Sequence, residues 1–82
     1  METRPLPTKR ELFAQTIAQT FNDEEHINLY LQYCKKYPLV ILYRAFAEAK
    51  SIPEEQVRKS RAAIFFYLVK KYVYERYQNT RH

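Results

Sequence analysis

The chain has 82 residues, 46% of them apolar, including eight Tyr and five Phe, which supports one domain with a core and argues against disorder. It contains no glycine, and this excludes nucleotide-binding loops of the Walker, Rossmann and protein-kinase types. The net charge of +5 is uneven, because residues 58–82 carry seven cations and one anion, whereas residues 1–57 carry seven cations and eight anions. This asymmetry predicts a negatively charged partner for the carboxyl-terminal part.

Residues 1–7 hold two prolines and no periodic pattern, so we expect a flexible amino-terminal arm. Thr8 and Glu11 then have the spacing of a capping box, in which each residue's side chain accepts a hydrogen bond from the other's backbone amide. Apolar residues follow at four-residue steps. Together these signals predict a first helix over 9–21.

Asn22 and Glu25 repeat the capping-box spacing, and an apolar i, i+3, i+4, i+7 pattern from Ile27 predicts a second helix over 23–36. Acids lie at its start and lysines at its end, as the helix macrodipole favours. Pro38 ends this helix and suits the first turn of a third one over 38–50. Because that segment is apolar on nearly all sides, we expect it to be central or covered by a second copy of the chain.

A short helix over 53–59 and a break near Ser60 are expected next, followed by a final helix over 61–78. The inner stripe of that helix is expected at Phe65, Leu68, Val69 and Tyr72. No alternating strand pattern appears. The prediction is an all-α fold, a compact bundle of four to five helices, in a single domain over 8–79 with a tail at 80–82.

Catalytic and metal-binding signatures are absent from the sequence. His26 and His82 lie far apart, and the only cysteine, Cys34, falls on an apolar stripe and has no partner for a disulfide. We therefore expect no enzyme, no metal or cofactor and no small-molecule substrate. The absence of a leader sequence and of an apolar run long enough to cross a bilayer predicts a cytoplasmic protein.

A strip of basic and aromatic residues on the last helix is the main functional signal. Tyr67, Lys70, Lys71 and Tyr74 have i, i+3, i+4, i+7 spacing, which suits phosphate contacts and base stacking. The alternative is a solvated surface whose rings close the edge of the core. The predicted nucleic-acid-binding residues are Arg58, Lys59, Arg61, Tyr67, Lys70, Lys71, Tyr74 and Arg76.

Tyr30, Tyr33 and Tyr37 form a second aromatic strip on the second helix, for which a protein interface is favoured over a groove wall or a part of the same polyanion site. Tyrosine is enriched at interfaces, and the apolar third helix offers further surface. The predicted interface residues are Tyr30, Tyr33, Tyr37, Val40 and Tyr43. The alternative function is therefore a helical interaction module, either a homodimer or a subunit of a larger assembly. Docking on an anionic membrane is a third option. It is disfavoured because the apolar inner stripe of the last helix is needed in the core.

Three segments resemble helical parts of replication-accessory proteins from plasmids, phages and other mobile elements, including the DnaD-type primosome domains. They are YCKKYP at 33–38, AFAEA at 45–49 and KSRAAIFFYLVKK at 59–71. In that group an "F-x-x-L-V-K"-like helix helps to bind DNA or load a helicase. A glycine often found near that helix is missing here. The resemblance implies a small accessory protein for replication of a mobile element, binding nucleic acid through Lys59, Arg61, Lys70 and Lys71.

Overall fold

A computed structural model describes residues 6–79, and within this range the chain forms helices and no strand. The predicted all-α fold is confirmed. The α-helices are α1 (Lys9–Thr20), α2 (Ile27–Lys36), α3 (Leu39–Ser51) and α4 (Arg61–Asn79), and short 3-10 helices cover Glu24–His26 and Glu54–Gln56. None of the helices in this range is long and apolar enough to cross a membrane.

The chain divides into two units between Lys36 and Tyr37, so that α1 and α2 form one helix pair and α3 and α4 form the other. The single domain expected over 8–79 stays a prediction. Leu6 and Pro7 precede the first helix and are exposed. The rest of the predicted arm and the tail at 80–82 lie outside the described residues.

The predicted capping box begins α1. Thr8 Oγ1 accepts from the Glu11 amide at 3.1 Å, and Glu11 Oε1 accepts from the Thr8 amide at 3.0 Å. The hydrogen bond from the Thr8 amide is the main reason why the pKa of Glu11 is lowered. These two bonds satisfy amides that have no partner inside the helix. The apolar stripe that follows buries Ala14, Ile17 and Ala18.

Asn22 closes α1 instead of opening the second helix, so the second predicted capping box is wrong. Its backbone is left-handed, with φ of 54°, and its amide donates to Gln19 O at 3.1 Å. The next amide, of Asp23, donates to Ala18 O at 2.8 Å, which completes a Schellman motif. Glycine usually fills this position. In a chain without glycine, asparagine does so because it tolerates the left-handed region better than other residues.

In the first unit α1 and α2 pack antiparallel. Arg10, near the start of α1, donates from Nη1 to Cys34 O near the end of α2 at 2.6 Å. The Cys34 side chain is fully buried, as expected, and burial raises the pKa of its thiol to about 11. The buried Tyr30 ring adds the largest side chain to this core, and its hydroxyl donates to Asp23 Oδ2 at 2.7 Å.

In the second unit α3 follows Pro38 and buries one face, formed by Ile41, Leu42, Ala45 and Ala49. The described residues of this chain do not enclose α3, and its expected cover by a second copy of the chain stays a prediction. Val40 is 66% exposed and Tyr43 41% exposed, because both lie away from the face that packs on α4. The apolar composition of α3 therefore does not mean that this helix is buried on every side.

The segment between α3 and α4 is less helical than predicted. Instead of a helix over 53–59, only Glu54–Gln56 forms a 3-10 turn. The predicted break and the start of α4 are confirmed, because Ser60 Oγ accepts from the Ala63 amide at 3.1 Å. The predicted inner stripe of α4 is also confirmed, since its four residues are all buried.

Candidate functional site

The strip on α4 forms one outward face, which we call the α4 face and define as Tyr67, Lys70, Lys71 and Tyr74. In an α-helix each residue turns by about 100° and rises by about 1.5 Å. Tyr67 and Tyr74 therefore point within about 20° of each other and lie about 10 Å apart along the axis. The buried stripe lies on the opposite side of the helix, so both rings face solvent, and each is 64% exposed.

Lys70 and Lys71 lie between the two rings, one on each side of the line that joins them. Both are exposed. Neither forms an ion pair with any residue of the described range. Residues 67–74 include no acid. The two ammonium groups therefore present their charge to solvent.

The rings of Tyr67 and Tyr74 have no partner within residues 6–79. They form no hydrogen bond, ring contact or cation–π contact there. Other aromatics in the second unit do have such partners. Tyr72, for example, donates its hydroxyl to Glu48, and the Arg44 guanidinium lies 3.9 Å from its ring centroid. The α4 face is thus distinguished by unoccupied rings as well as by unpaired cations.

Arg61 does not belong to this face, and its assignment to nucleic-acid binding stays a prediction. Its Nη1 donates to Ala49 O at 2.8 Å and to Ile52 O at 2.7 Å, with a longer contact to Lys50 O at 3.3 Å. These carbonyls lie at the carboxyl end of α3 and lack helical donors. The guanidinium is therefore occupied in closing α3.

Arg76 also lies off this face. It follows Tyr67 by nine residues, which is two and a half turns, and so it leaves the helix on the opposite side. It is exposed. Arg58 and Lys59 are exposed and form no ion pair within the described range, but they precede α4 and are not part of its regular face.

Tyr77 was missed by the sequence reasoning. It is 71% exposed and comes three residues after Tyr74 and seven after Lys70, so it extends the α4 face toward the end of the helix. The same helical spacing that selected Tyr74 would have selected it.

The predicted interface residues separate into three kinds. Tyr30 is fully buried and its hydroxyl is bonded to Asp23, so its assignment to an interface is wrong. Tyr33 and Tyr37 are half-buried. Val40 and Tyr43 are exposed and lie three residues apart on α3, which places them on one side of that helix.

One cluster has donor atoms at metal-binding distances. Side-chain atoms of Asp23, Glu25 and His26 lie within 4.8 Å of one another. Both oxygens of Asp23 already accept hydrogen bonds, one from His26 Nδ1 and one from Tyr30, each at 2.7 Å. The cluster is therefore explained as the start of the second helix, and we assign no metal to it.

No family model matches the chain, and no curated protein and no solved structure matches it either.

Proposed function

We propose that this chain is a small, non-enzymatic nucleic-acid-binding accessory protein that binds through the α4 face. The observation that carries the proposal is the placement of two unpaired ammonium groups between two exposed tyrosine rings. Ammonium groups bind backbone phosphates, and tyrosine rings stack on bases or contact sugars. Residues 67–74 include no acid, and the nearest acid in the sequence is Glu75, which directly follows Tyr74.

A purely solvated surface explains the lysines but not the rings. Lysine is ordinary on a protein surface, whereas a tyrosine that is 64% exposed leaves much apolar ring area in water. Two such rings on one line, with cations between them, favour a ligand that offers both negative charge and flat apolar surface. Nucleic acid combines these properties. An acidic peptide supplies the charge, but it offers flat rings only where it carries aromatic residues.

The resemblance to DnaD-type and related replication-accessory proteins supports the same class of function. Its "F-x-x-L-V-K"-like segment runs from Phe65 to Lys70 and thus includes the first half of the α4 face. A role in the replication of a mobile element is the biological setting that this resemblance favours. We extend the proposal to that setting as an accessory role without catalysis.

Titration of a labelled oligonucleotide at two ionic strengths tests the proposal. If two lysines neutralise two phosphates, affinity should fall about tenfold between about 50 mM and about 200 mM salt, and further if Arg58 and Lys59 contribute. Lys70→Glu with Lys71→Glu should abolish detectable binding. The matched control is Lys35→Glu with Lys36→Glu, which changes the net charge equally on α2 and should retain most of the affinity.

Two outcomes would contradict the proposal. One is affinity that does not change with salt. The other is equal loss of affinity in both double variants, because the chain's overall charge rather than the α4 face would then be responsible. Circular dichroism of each variant separates loss of binding from loss of helix.

A protein-interaction module is the second candidate, and one observation favours it. Val40 and Tyr43 expose apolar area on the same side of α3. Light scattering at micromolar concentration tests self-association, and Val40→Asp should dissociate any oligomer formed through this side. A stable oligomer that ignores nucleic acid at low salt would favour this candidate over the first.

A further inference from the structure

We infer that the α4 face selects single-stranded over double-stranded nucleic acid, with little preference for base sequence. This inference rests on the proposed function and specifies its ligand. It follows from two features of the α4 face. Its exposed rings can stack only on unstacked bases, and residues 67–74 include no Arg, Asn or Gln.

The rings need unstacked bases. An exposed tyrosine can stack on a base only where the face of that base is accessible, and in a duplex the base faces are covered by their neighbours. Tyr67 and Tyr74 point in nearly the same direction, about 10 Å apart, so both can contact bases of one strand that runs along the helix. Lys70 and Lys71 lie between them, where the intervening phosphates of such a strand would pass.

Apart from its two lysines, the face lacks the side chains that read a duplex. A helix in the major groove recognises base edges mainly through Arg, Asn and Gln, or through Lys on guanine. Residues 67–74, YLVKKYVY, include none of the first three. A duplex would engage only the two ammonium groups and leave both rings without a role. Stacking also tolerates any base, because every base has an aromatic face, and this is the reason to expect weak sequence preference.

Three probes of equal length separate stacking from charge. They are a single-stranded oligonucleotide, the same sequence as a duplex, and an abasic single strand that keeps the phosphates but has no bases. We expect the single strand to bind at least tenfold more tightly than either of the others at the same salt concentration. Because the chain has no Trp, stacking should also quench its tyrosine fluorescence, and it should do so with the single strand alone.

Matched variants assign the effect to the rings. Tyr67→Leu with Tyr74→Leu should remove the preference for the base-containing strand, with a loss of about 5- to 150-fold for each ring. Tyr67→Phe with Tyr74→Phe keeps both rings and should bind like the native chain. The leucine variant should retain the weak, salt-dependent binding that the lysines provide.

The outcomes separate the inference from the proposed function. Equal affinity for all three probes, lost on reversal of Lys70 and Lys71, would overturn the single-strand inference and leave nucleic-acid binding intact. The same holds if the leucine and phenylalanine variants bind the single strand equally well. Absence of binding to every probe at low salt would overturn both.

Discussion

Arg61 Nη1 lies 2.7 Å from the carbonyl oxygen of Ile52, so the first residue of α4 closes the end of α3. The first unit repeats the arrangement, with Arg10 of α1 donating to Cys34 O near the end of α2. Carbonyls at a helix end have no donor inside the helix. A guanidinium can donate to several of them at once, and here it satisfies carbonyls that glycine-containing caps satisfy in other chains.

Replacing Arg61 by Met should destabilise the protein. The variant keeps an unbranched apolar side chain but loses the bonds to Ala49 and Ile52, and hydrogen bonds from a charged donor contribute about 1.5–3 kcal/mol. We expect a fall of about 1–3 kcal/mol in the free energy of unfolding, measured with urea. Arg58→Met is the control, since Arg58 is exposed and its loss should change stability little. Equal effects of the two changes would show that the cap contributes nothing.

The stability of variants at Asn22 should depend on whether the new residue tolerates a left-handed backbone. Asn22→Gly should leave the free energy of unfolding unchanged or raise it by a few tenths of a kcal/mol, whereas Asn22→Ala should lower it by about 1 kcal/mol. The reason is that alanine's Cβ clashes at the observed φ of 54°. Thermal unfolding of both variants checks the order. A more stable alanine variant would mean that Asn22 is not left-handed in solution.

The Cys34 thiol should be unreactive in the folded chain. It is fully buried, and a pKa of about 11 leaves little thiolate at neutral pH. A thiol reagent such as Ellman's should modify the native protein slowly and the urea-unfolded protein at once. Equally fast modification in the two states would contradict the burial of Cys34.

The Asp23–His26 pair should make stability depend on pH in two directions. The hydrogen bond to Asp23 raises the pKa of His26 above 6.5, so its contribution is full below pH 6.5 and is lost as pH rises through the raised pKa. Bonds from His26 and Tyr30 lower the pKa of Asp23 below 3.8, so its contribution is present above pH 3.8 and is lost as pH falls through the lowered pKa.

Urea unfolding at about pH 5 and about pH 8 measures the first of these effects. The native chain should be slightly more stable at the lower pH, and His26→Gln should reduce the difference. A larger difference in the variant than in the native chain would contradict the sign. The effect is small because the imidazole is well exposed.

Local signals predicted most of the fold. The capping box at Thr8, the break before Ser60 and the apolar stripe of α4 act through neighbours within one or two helical turns, and each is confirmed. The α4 face was predicted for the same reason, because residues at i, i+3, i+4 and i+7 share a side of any α-helix. The same geometry places Arg76 off that face.

Contacts between segments could not be predicted in this way. Arg61 reaches carbonyls nine to twelve residues earlier, and nothing in its own neighbourhood indicates this. Tyr30 fits both the apolar stripe and the aromatic strip of α2, and only the packing of α1 decides that it is buried. Asparagine is preferred both at the start of a helix and just after its end, so the residue type alone does not show which of these positions Asn22 occupies.

The end of α4, which begins at Tyr74 of the α4 face, has little support from the core. Every residue from 74 to 78 is exposed, so these turns bury little apolar surface, and isolated helical turns are marginal in water. We expect their amides to exchange with solvent faster than those near Phe65. A ligand held on Tyr74 would therefore also order the last turns, and part of the measured enthalpy of association would be that of helix formation.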